Sequence, residues 1–283
     1  MKNNCNEIYY KKIVIIGRPN VGKSTILNQL IEKKISIVTP KKNTTSNIIF
    51  GTSIDKNMYF IFLDTPGIEK KNNIHIRTYW QAIYQSNIII MVTENIIWNK
   101  HDEFIYKTVQ KTKKPILLLL NKIDKIKNKN IFLSYIQFLS NKFKYIHSII
   151  PISAKKKKDI QVIKNIIKNK YCDIKNILDK NKLPNNSIKF TISEIIREKI
   201  ILNLNQELPY CCKIKIIKFI FLKKQNKYFI QAMILVNRKN HKKIFIGEKA
   251  QKIKKYSMQS RQDIQVFLKK NVDLFLEVHH DAK

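Results

Sequence analysis

The sequence predicts a doubly wound α/β domain with a mostly parallel sheet, followed by a smaller α+β domain. Three observations carry this. Short apolar runs (Ile13 to Ile16, Tyr59 to Leu63, Ile116 to Leu120, Ile149 to Ile152) alternate with helix-length segments such as Ile74 to Gln85 and Phe132 to Lys142. Each of those runs ends in a distinctive polar string, at the strand end where such sheets bind ligands. The last hundred or so residues instead follow the order helix, strand, strand, helix, helix, strand. A length of 283 residues suits two domains. The polar stretch from Asp173 to Ser187, with N-K-L-P-N-N-S, discourages a continuous helix, so we expect domains at 8–175 and 188–283 with a linker at 176–187.

The first apolar run feeds Gly17-Arg18-Pro19-Asn20-Val21-Gly22-Lys23-Ser24-Thr25, and Thr25 to Ile31 then reads as an amphipathic helix. G-x-x-x-x-G-K-[ST] between a strand and a helix is the phosphate-binding loop, in which backbone N–H groups and the helix N-terminus face an anion. Lys23 would reach the β- and γ-phosphates and Ser24 would ligate Mg²⁺. The chain has only five glycines, against roughly 7% in average proteins, so those it keeps are expected where a Cβ cannot fit.

The strings after the later strands choose the nucleotide. Tyr59 to Leu63 ends in Asp64-Thr65-Pro66-Gly67, putting a carboxylate near the Mg²⁺ shell and the Gly67 N–H within reach of a γ-phosphate. Ile116 to Leu120 ends in Asn121-Lys122-Ile123-Asp124. The Asp124 carboxylate can accept from both N1–H and the 2-amino group of guanine, a pairing adenine cannot offer. Ile149 to Ile152 leads to Ser153-Ala154-Lys155, a short string expected near the guanine O6. Taken singly each could be an ordinary strand-to-loop transition. Four in fixed order predict a GTP-binding domain of the P-loop GTPase class. Ile68 stands where Ras-like enzymes carry a water-orienting glutamine, which predicts slow intrinsic hydrolysis. Arg18 reads as a solvent-facing residue in preference to an arginine finger.

Thr44 and Thr45 lie in the polar stretch K-K-N-T-T-S-N, and one of them is expected to close over Mg²⁺ and the γ-phosphate. Register alone leaves both open. Gly51 reads as a structural glycine, marking a bulge in the strand that follows.

In the second domain we expect a helix at Ile192 to Asn205, strands at Cys212 to Leu222, Tyr228 to Asn237 and Val272 to Val278, and two helices between the last two strands. This is the order of a type II KH domain, which clamps single-stranded RNA with a G-x-x-G loop between two helices. Here the loop reads Ile246-Gly247-Glu248-Lys249-Ala250, with alanine in the fourth place. The net charge of +35 does not by itself locate RNA. Residues 1–184 carry 34 basic and 12 acidic residues and residues 185–283 carry 21 and 8, nearly equal densities in a chain biased throughout toward Lys, Asn and Ile. Arg238 to Lys255 stands out, with Arg238, Lys239, Lys242, Lys243, Lys249, Lys252, Lys254 and Lys255 against a single Glu248. We take Ile246 to Ala250 with Arg238, Lys242, Lys243, Lys252, Lys254 and Lys255 as the candidate RNA site.

With these motifs assembled the chain resembles the Era family of bacterial GTPases over nearly its whole length. The resemblance adds Ser193-Glu194-Ile195-Ile196-Arg197-Glu198-Lys199, Glu207-Leu208-Pro209-Tyr210 and Arg261-Gln262-Asp263 to the GTPase strings. It implies a GTP/GDP switch that binds 16S rRNA near its 3′ end during 30S subunit assembly. It also implies a K⁺ ion held by Asn20 as a source of positive charge in hydrolysis. Family members continue beyond the last strand, so RNA affinity is expected to lean on the lysine cluster and to fall steeply with salt.

Two competing readings are a related GTPase in tRNA modification or another ribosome step, and an RNA-binding protein with an inert GTPase domain. The KH-like tail argues against the first, and the presence of Lys23, Ser24, Asp64 and Asp124 against the second. No apolar run approaches the 18 residues of a membrane span, and the N-terminus lacks a signal-peptide core. Four cysteines (Cys5, Cys172, Cys211, Cys212) lack zinc spacing and read as free thiols. A monomer in the cytoplasm is expected, with peripheral attraction to anionic lipid on the inner face of the cell membrane permitted by the charge.

Overall fold

The computed structural model describes residues 9–32, 49–55, 58–65, 76–126, 128–170, 176–177, 188–204 and 212–281. They fall into two compact units, one N-terminal and one beginning at the helix that opens at Ile188.

In the first unit β1 (Tyr9–Gly17) is the central strand. It carries α1 (Lys23–Ile31) directly after its loop, and the chain continues through β2 (Ile49–Asp55), β3 (Met58–Asp64), α2 (Ile76–Gln85), β4 (Ile88–Glu94) and α3 (Lys100–Val109). It then runs through β5 (Ile116–Asn121), α4 (Lys129–Lys142), β6 (Ile146–Pro151) and α5 (Lys157–Lys170). The sheet order is β2-β3-β1-β4-β5-β6, with β2 antiparallel to β3 and the other pairs parallel. Because β1 lies between β3 and β4, the chain turns outward in both directions from it, and its C-terminal end is the switch point of the sheet.

The strands read as unbroken apolar runs because both faces are covered. Ile13 to Ile16 and Ile116 to Leu120 are wholly buried. Val14, Ile16, Leu118 and Leu120 pack with Tyr79, Ala82 and Ile83 of α2, Ile105, Tyr106 and Val109 of α3, and Leu139 of α4. Helices α1 and α5 pack together, burying Ile26, Leu27 and Leu30 with Ile160, Ile163 and Ile167. Gly51 sits opposite Phe62 in an unbroken register, so the bulge expected there is absent and the glycine is an ordinary strand residue. A two-residue strand, β7 (Asn176–Ile177), pairs antiparallel with Tyr9 and Tyr10. These two residues were expected in the linker, and what overrides their composition is the free hydrogen-bonding edge at the start of β1.

The second unit runs α6 (Ile188–Asn203), β8 (Cys212–Leu222), β9 (Lys227–Val236), α7 (Lys239–Ile246), α8 (Gln251–Leu268) and β10 (Asn271–His280). The order is the expected one. Its sheet is β10-β9-β8, antiparallel between β8 and β9 and parallel between β9 and β10. Alternation turns Ile230, Ala232, Ile234 and Val236 of β9 inward, against Ile192, Ile196 and Ile200 of α6, Phe245 of α7 and Tyr256 and Ile264 of α8.

The family-marking string on α6 lies largely inside this unit. Arg197 donates from Nε and Nη2 to the two carboxylate oxygens of Glu194, both at 2.9 Å, and both residues are buried. Lys199 meets Asp263 at 2.6 Å and the Asn203 amide donates to Gln259 Oε1 at 2.8 Å, tying α6 to α8. The string therefore fastens a helix pair, and its charges are matched internally.

The core of the second unit is its own. Phe245→Ala should cost about 3–5 kcal/mol, as truncation of a fully buried phenylalanine does. Hydrogen exchange should quicken in β9, α7 and α8, while β1, β4 and β5 keep their protection.

Candidate functional site

Four loop segments meet at the C-terminal ends of β1, β3, β5 and β6, and the joint between them is Asn121. This side chain is buried at the end of β5. Its Nδ2 donates to the Val21 carbonyl at 2.7 Å, and its Oδ1 accepts from Lys122 N at 2.8 Å and Ala154 N at 2.9 Å. One amide thus binds the loop after β1 to the loop after β6. Gly22 explains the second glycine of the phosphate loop. Its φ is +102°, and a Cβ there would lie 2.2 Å from Asn121 Nδ2. A side chain at 22 would break the joint as well as strain the backbone.

Lys122 adds a clasp over the same loop. Its Nζ donates to the Asn20 carbonyl at 2.8 Å and to Glu94 Oε1 at 2.9 Å. Asn20 and Lys122 both adopt left-handed backbone, each with φ 64°. Such conformations persist where surrounding structure over-determines them, and they cluster at functional sites.

Within the loop, Lys23 opens α1 and is buried, its Nζ donating to the Arg18 carbonyl at 2.8 Å. Burial lowers its pKa to about 8, partly offset by the Asp64 carboxylate and reinforced by the Arg18 cation. Ser24 Oγ donates to Asp64 Oδ2 at 2.7 Å, bringing a hydroxyl and a buried carboxylate together beside the lysine. Thr65 Oγ1 donates to the Ile15 carbonyl at 2.8 Å and stitches β3 to β1. Gly17, Arg18, Pro19, Val21 and Thr25 complete the loop and the first turn of α1.

At the far side Asp124 is exposed in a single 3₁₀ turn with Ile123, and its Oδ1 accepts from Ser153 Oγ at 2.7 Å. That bond is the main reason its carboxyl lies below the usual range. Ser153 N is held by Asp159 Oδ2 at 2.7 Å, while Lys155 is exposed. The structure therefore brings the residues from 17–25, Asp64, Thr65, Asn121 to Asp124 and Ser153 to Lys155 to one end of the sheet. Thr44, Thr45, Pro66, Gly67 and Ile68 lie outside the described residues.

Arg18 departs from its expected setting. Its Nε donates to Asp102 Oδ1 at 2.8 Å, and Asp102 is fully buried, so the side chain faces α3 and not solvent. Asp102, Glu94 and Asp159 are the supporting residues the motif reading missed. For Asp102 a signal existed: Asn99-x-x-Asp102 ahead of an amphipathic run is a capping box.

In the second unit the candidate RNA residues lie along α7, in the loop after it from Gly247 to Ala250, and in the first turns of α8. Gly247 has φ +74°, and a Cβ on it would press on the Lys252 side chain, 2.7 Å from its Cγ. Lys249 and Ala250 are left-handed as well, with φ 45° and 59°. Alanine in the fourth place thus sits in a turn, ahead of α8, where helix propensity does not help it. Arg238, Lys242, Lys243, Glu248, Lys249, Lys252, Lys254 and Lys255 are exposed, and Ile246 is half-buried beneath them. None of the six lysines or Arg238 is ion-paired among the described residues. Also among the described residues, no helix is long and apolar enough to cross a membrane.

Comparison with known proteins agrees with both units. A family model described as "50S ribosome-binding GTPase" matches residues 12–122, and one described as "KH domain" matches residues 207–281. A protein named GTPase Era from Buchnera aphidicola subsp. Acyrthosiphon pisum (strain APS) is 44% identical over 264 residues, covering 91% of this chain and 92% of its own. GTPase Era from Pasteurella multocida (strain Pm70) is 38% identical over 271 residues, covering 94% and 88%. A crystal structure of an Aquifex aeolicus Era variant bound to GDP·AlF4⁻ superposes with a TM-score of 0.85 at 30% identity, covering 96% of this chain and 94% of that one. An Era complex with MgGDPNP and nucleotides 1506–1542 of 16S ribosomal RNA gives the same score and coverage at 29% identity.

The Lys23 ammonium yields a pH signature. Phosphate charge placed beside it raises its pKa above the value of about 8 set by the protein groups. Nucleotide binding should therefore take up a proton above pH 8 and weaken as pH rises further. Calorimetry at pH 8.5 in buffers of different ionisation enthalpy would detect this, and an enthalpy independent of buffer would refute it.

Proposed function

The chain belongs to the Era family of GTPases, and on that premise we propose that it is a GTP-controlled RNA-binding switch in assembly of the small (30S) ribosomal subunit. It hydrolyses GTP to GDP and phosphate. The observation that carries the reading is the Asn121 joint, which locks the phosphate loop and the guanine-side strings into one site on a chain whose second unit is a KH fold.

In this reading the loop from Gly17 to Thr25 cradles the phosphates and Lys23 leaves the Arg18 carbonyl for the β- and γ-phosphate oxygens. Asp124, kept ionised by Ser153, accepts from N1–H and the 2-amino group of guanine. Ser24 and Asp64 present two hard oxygen donors 2.7 Å apart, a donor set that suits Mg²⁺, which takes few protein ligands and completes its shell with phosphate and water. When bound, Mg²⁺ supplies charge stabilisation at the transferring phosphate. Thr44 or Thr45 closes over that site, and Gly67 meets the γ-phosphate. Asn20 would help hold a K⁺, which would supply positive charge that Arg18, paired with Asp102, does not. Hydrolysis at equal ionic strength should then run faster in K⁺ than in Na⁺, and equal rates would remove the K⁺ site.

RNA binding is assigned to Ile246 through Ala250 with Arg238, Lys242, Lys243, Lys252, Lys254 and Lys255 as phosphate contacts. The matched GTPase model carries a 50S description, so the small-subunit assignment leans on the similar Era structure that holds a 16S rRNA segment. We also propose a cytoplasmic monomer, with weak peripheral attraction to anionic membrane through the basic surface. Crosslinking the purified protein to whole ribosomal RNA with GTP and with GDP tests the assignment. Crosslinks should gather near the 3′ end of 16S rRNA and shift with nucleotide. Even scatter over both subunits' RNA would reject it.

A further inference from the structure

Arg18 is held from two sides. Its side chain leaves the phosphate loop toward α3, where Nε donates to Asp102 Oδ1 at 2.8 Å, and its carbonyl accepts from Lys23 Nζ at 2.8 Å. Asp102 has a second task. Its Oδ2 accepts from Asn99 N at 3.1 Å, while Asn99 Oδ1 accepts from His101 N at 2.9 Å and Asp102 N at 3.1 Å. The carboxylate thus closes the capping box of α3 with one oxygen and grips the loop arginine with the other.

The setting is rigid. Asp102 is fully buried, and α3 is fixed to the core through Ile105, Tyr106 and Val109. Burial pushes the Asp102 carboxyl up, and the Asn99 backbone and the Arg18 guanidinium pull it back. A guanidinium committed to this pair is not free to act as a finger.

We propose that Asp102 is a positioning residue for nucleotide binding, setting the shape of the phosphate loop through Arg18. The orientation of residue 18 fixes the course of the loop backbone that receives the phosphates, and with it the carbonyl that holds the Lys23 ammonium in place until a phosphate takes it over. Freed from Asp102, residue 18 loses that orientation and the loop must be ordered afresh each time a phosphate chain binds. The inference rests on the reading that this loop binds the phosphates of GTP and GDP.

The test uses the full chain with R18M, D102N and the double variant R18M/D102N. It compares Kd for GDP and for a non-hydrolysable GTP analogue, turnover at saturating GTP, and melting temperature. Each single variant should weaken both nucleotides by about tenfold alike, D102N should leave saturated turnover within about twofold, and the double should be no weaker than the weaker single because the pair acts as a unit. Should one single variant fail to fold because an unpaired charge is left buried, the neutral double variant still carries the test and must show the same loss of affinity. Three outcomes overturn the proposal. In the first, R18M lowers turnover while D102N binds normally, which makes Arg18 a finger. In the second, melting temperatures fall while Kd and KM of the folded protein stay at wild-type values, which makes the pair a packing contact only. In the third, the two losses multiply, which makes the residues independent. If the wild-type chain binds neither nucleotide, the failure lies with the GTP reading and not with the pair.

Discussion

One buried amide organises the nucleotide end of the sheet. Asn121 spends its donor on the loop after β1 and its acceptor on the loop after β6, so the distance between those loops is set by the length of a single side chain. The position of Gly22 follows, since the amide occupies the space where a Cβ would stand. So does the seat of Ser153, which follows the same β6 loop and reaches Asp124. Phosphate recognition and base recognition are in this sense one packing unit. Loss of the amide would leave buried backbone groups on two separate loops without partners, and each such group costs of order 1–3 kcal/mol.

Much of this was legible in the sequence because the information is local. A strand buried on both faces must read as an apolar run, so β1, β3 and β5 declare themselves, and their polar ends carry chemistry that needs fixed residue types. The KH order emerged equally well, since β9 alternates cleanly and α8 carries a long amphipathic face. What stayed hidden depends on partners distant along the chain. Arg18 looks solvent-facing until α3, more than eighty residues later, brings Asp102 against it. Asn176–Ile177 looks like linker until the open edge of β1 is seen beside it. Glu94 behind Lys122 and Asp159 behind Ser153 are similarly invisible, because a lone carboxylate near a strand end has no spacing rule.

The clamp loop is a different kind of case. The fourth place of the loop holds Ala250, and the backbone there is left-handed, following Lys249 in the same region. A loop with glycine at one end only must hold two non-glycine residues in a conformation that costs each of them roughly 1–2 kcal/mol. The flanking helices α7 and α8 supply the restraint, through Phe245 and Tyr256 in the core beneath. The exposed lysines around the loop gain meaning from this geometry more than from their number, since lysine is abundant throughout the chain.

That abundance gives the Glu194–Arg197 fork on α6 a wider sense. Only five of the 55 basic residues are arginine. Lysine serves almost everywhere that a point charge suffices. Where a planar group must grip both oxygens of a buried carboxylate, as at Arg197, an ammonium cannot substitute. Arg18 also meets a buried carboxylate, that of Asp102, but through a single oxygen. Two of the five arginines thus engage buried carboxylates, and at the Glu194–Arg197 fork the fold itself resists the bias of its composition.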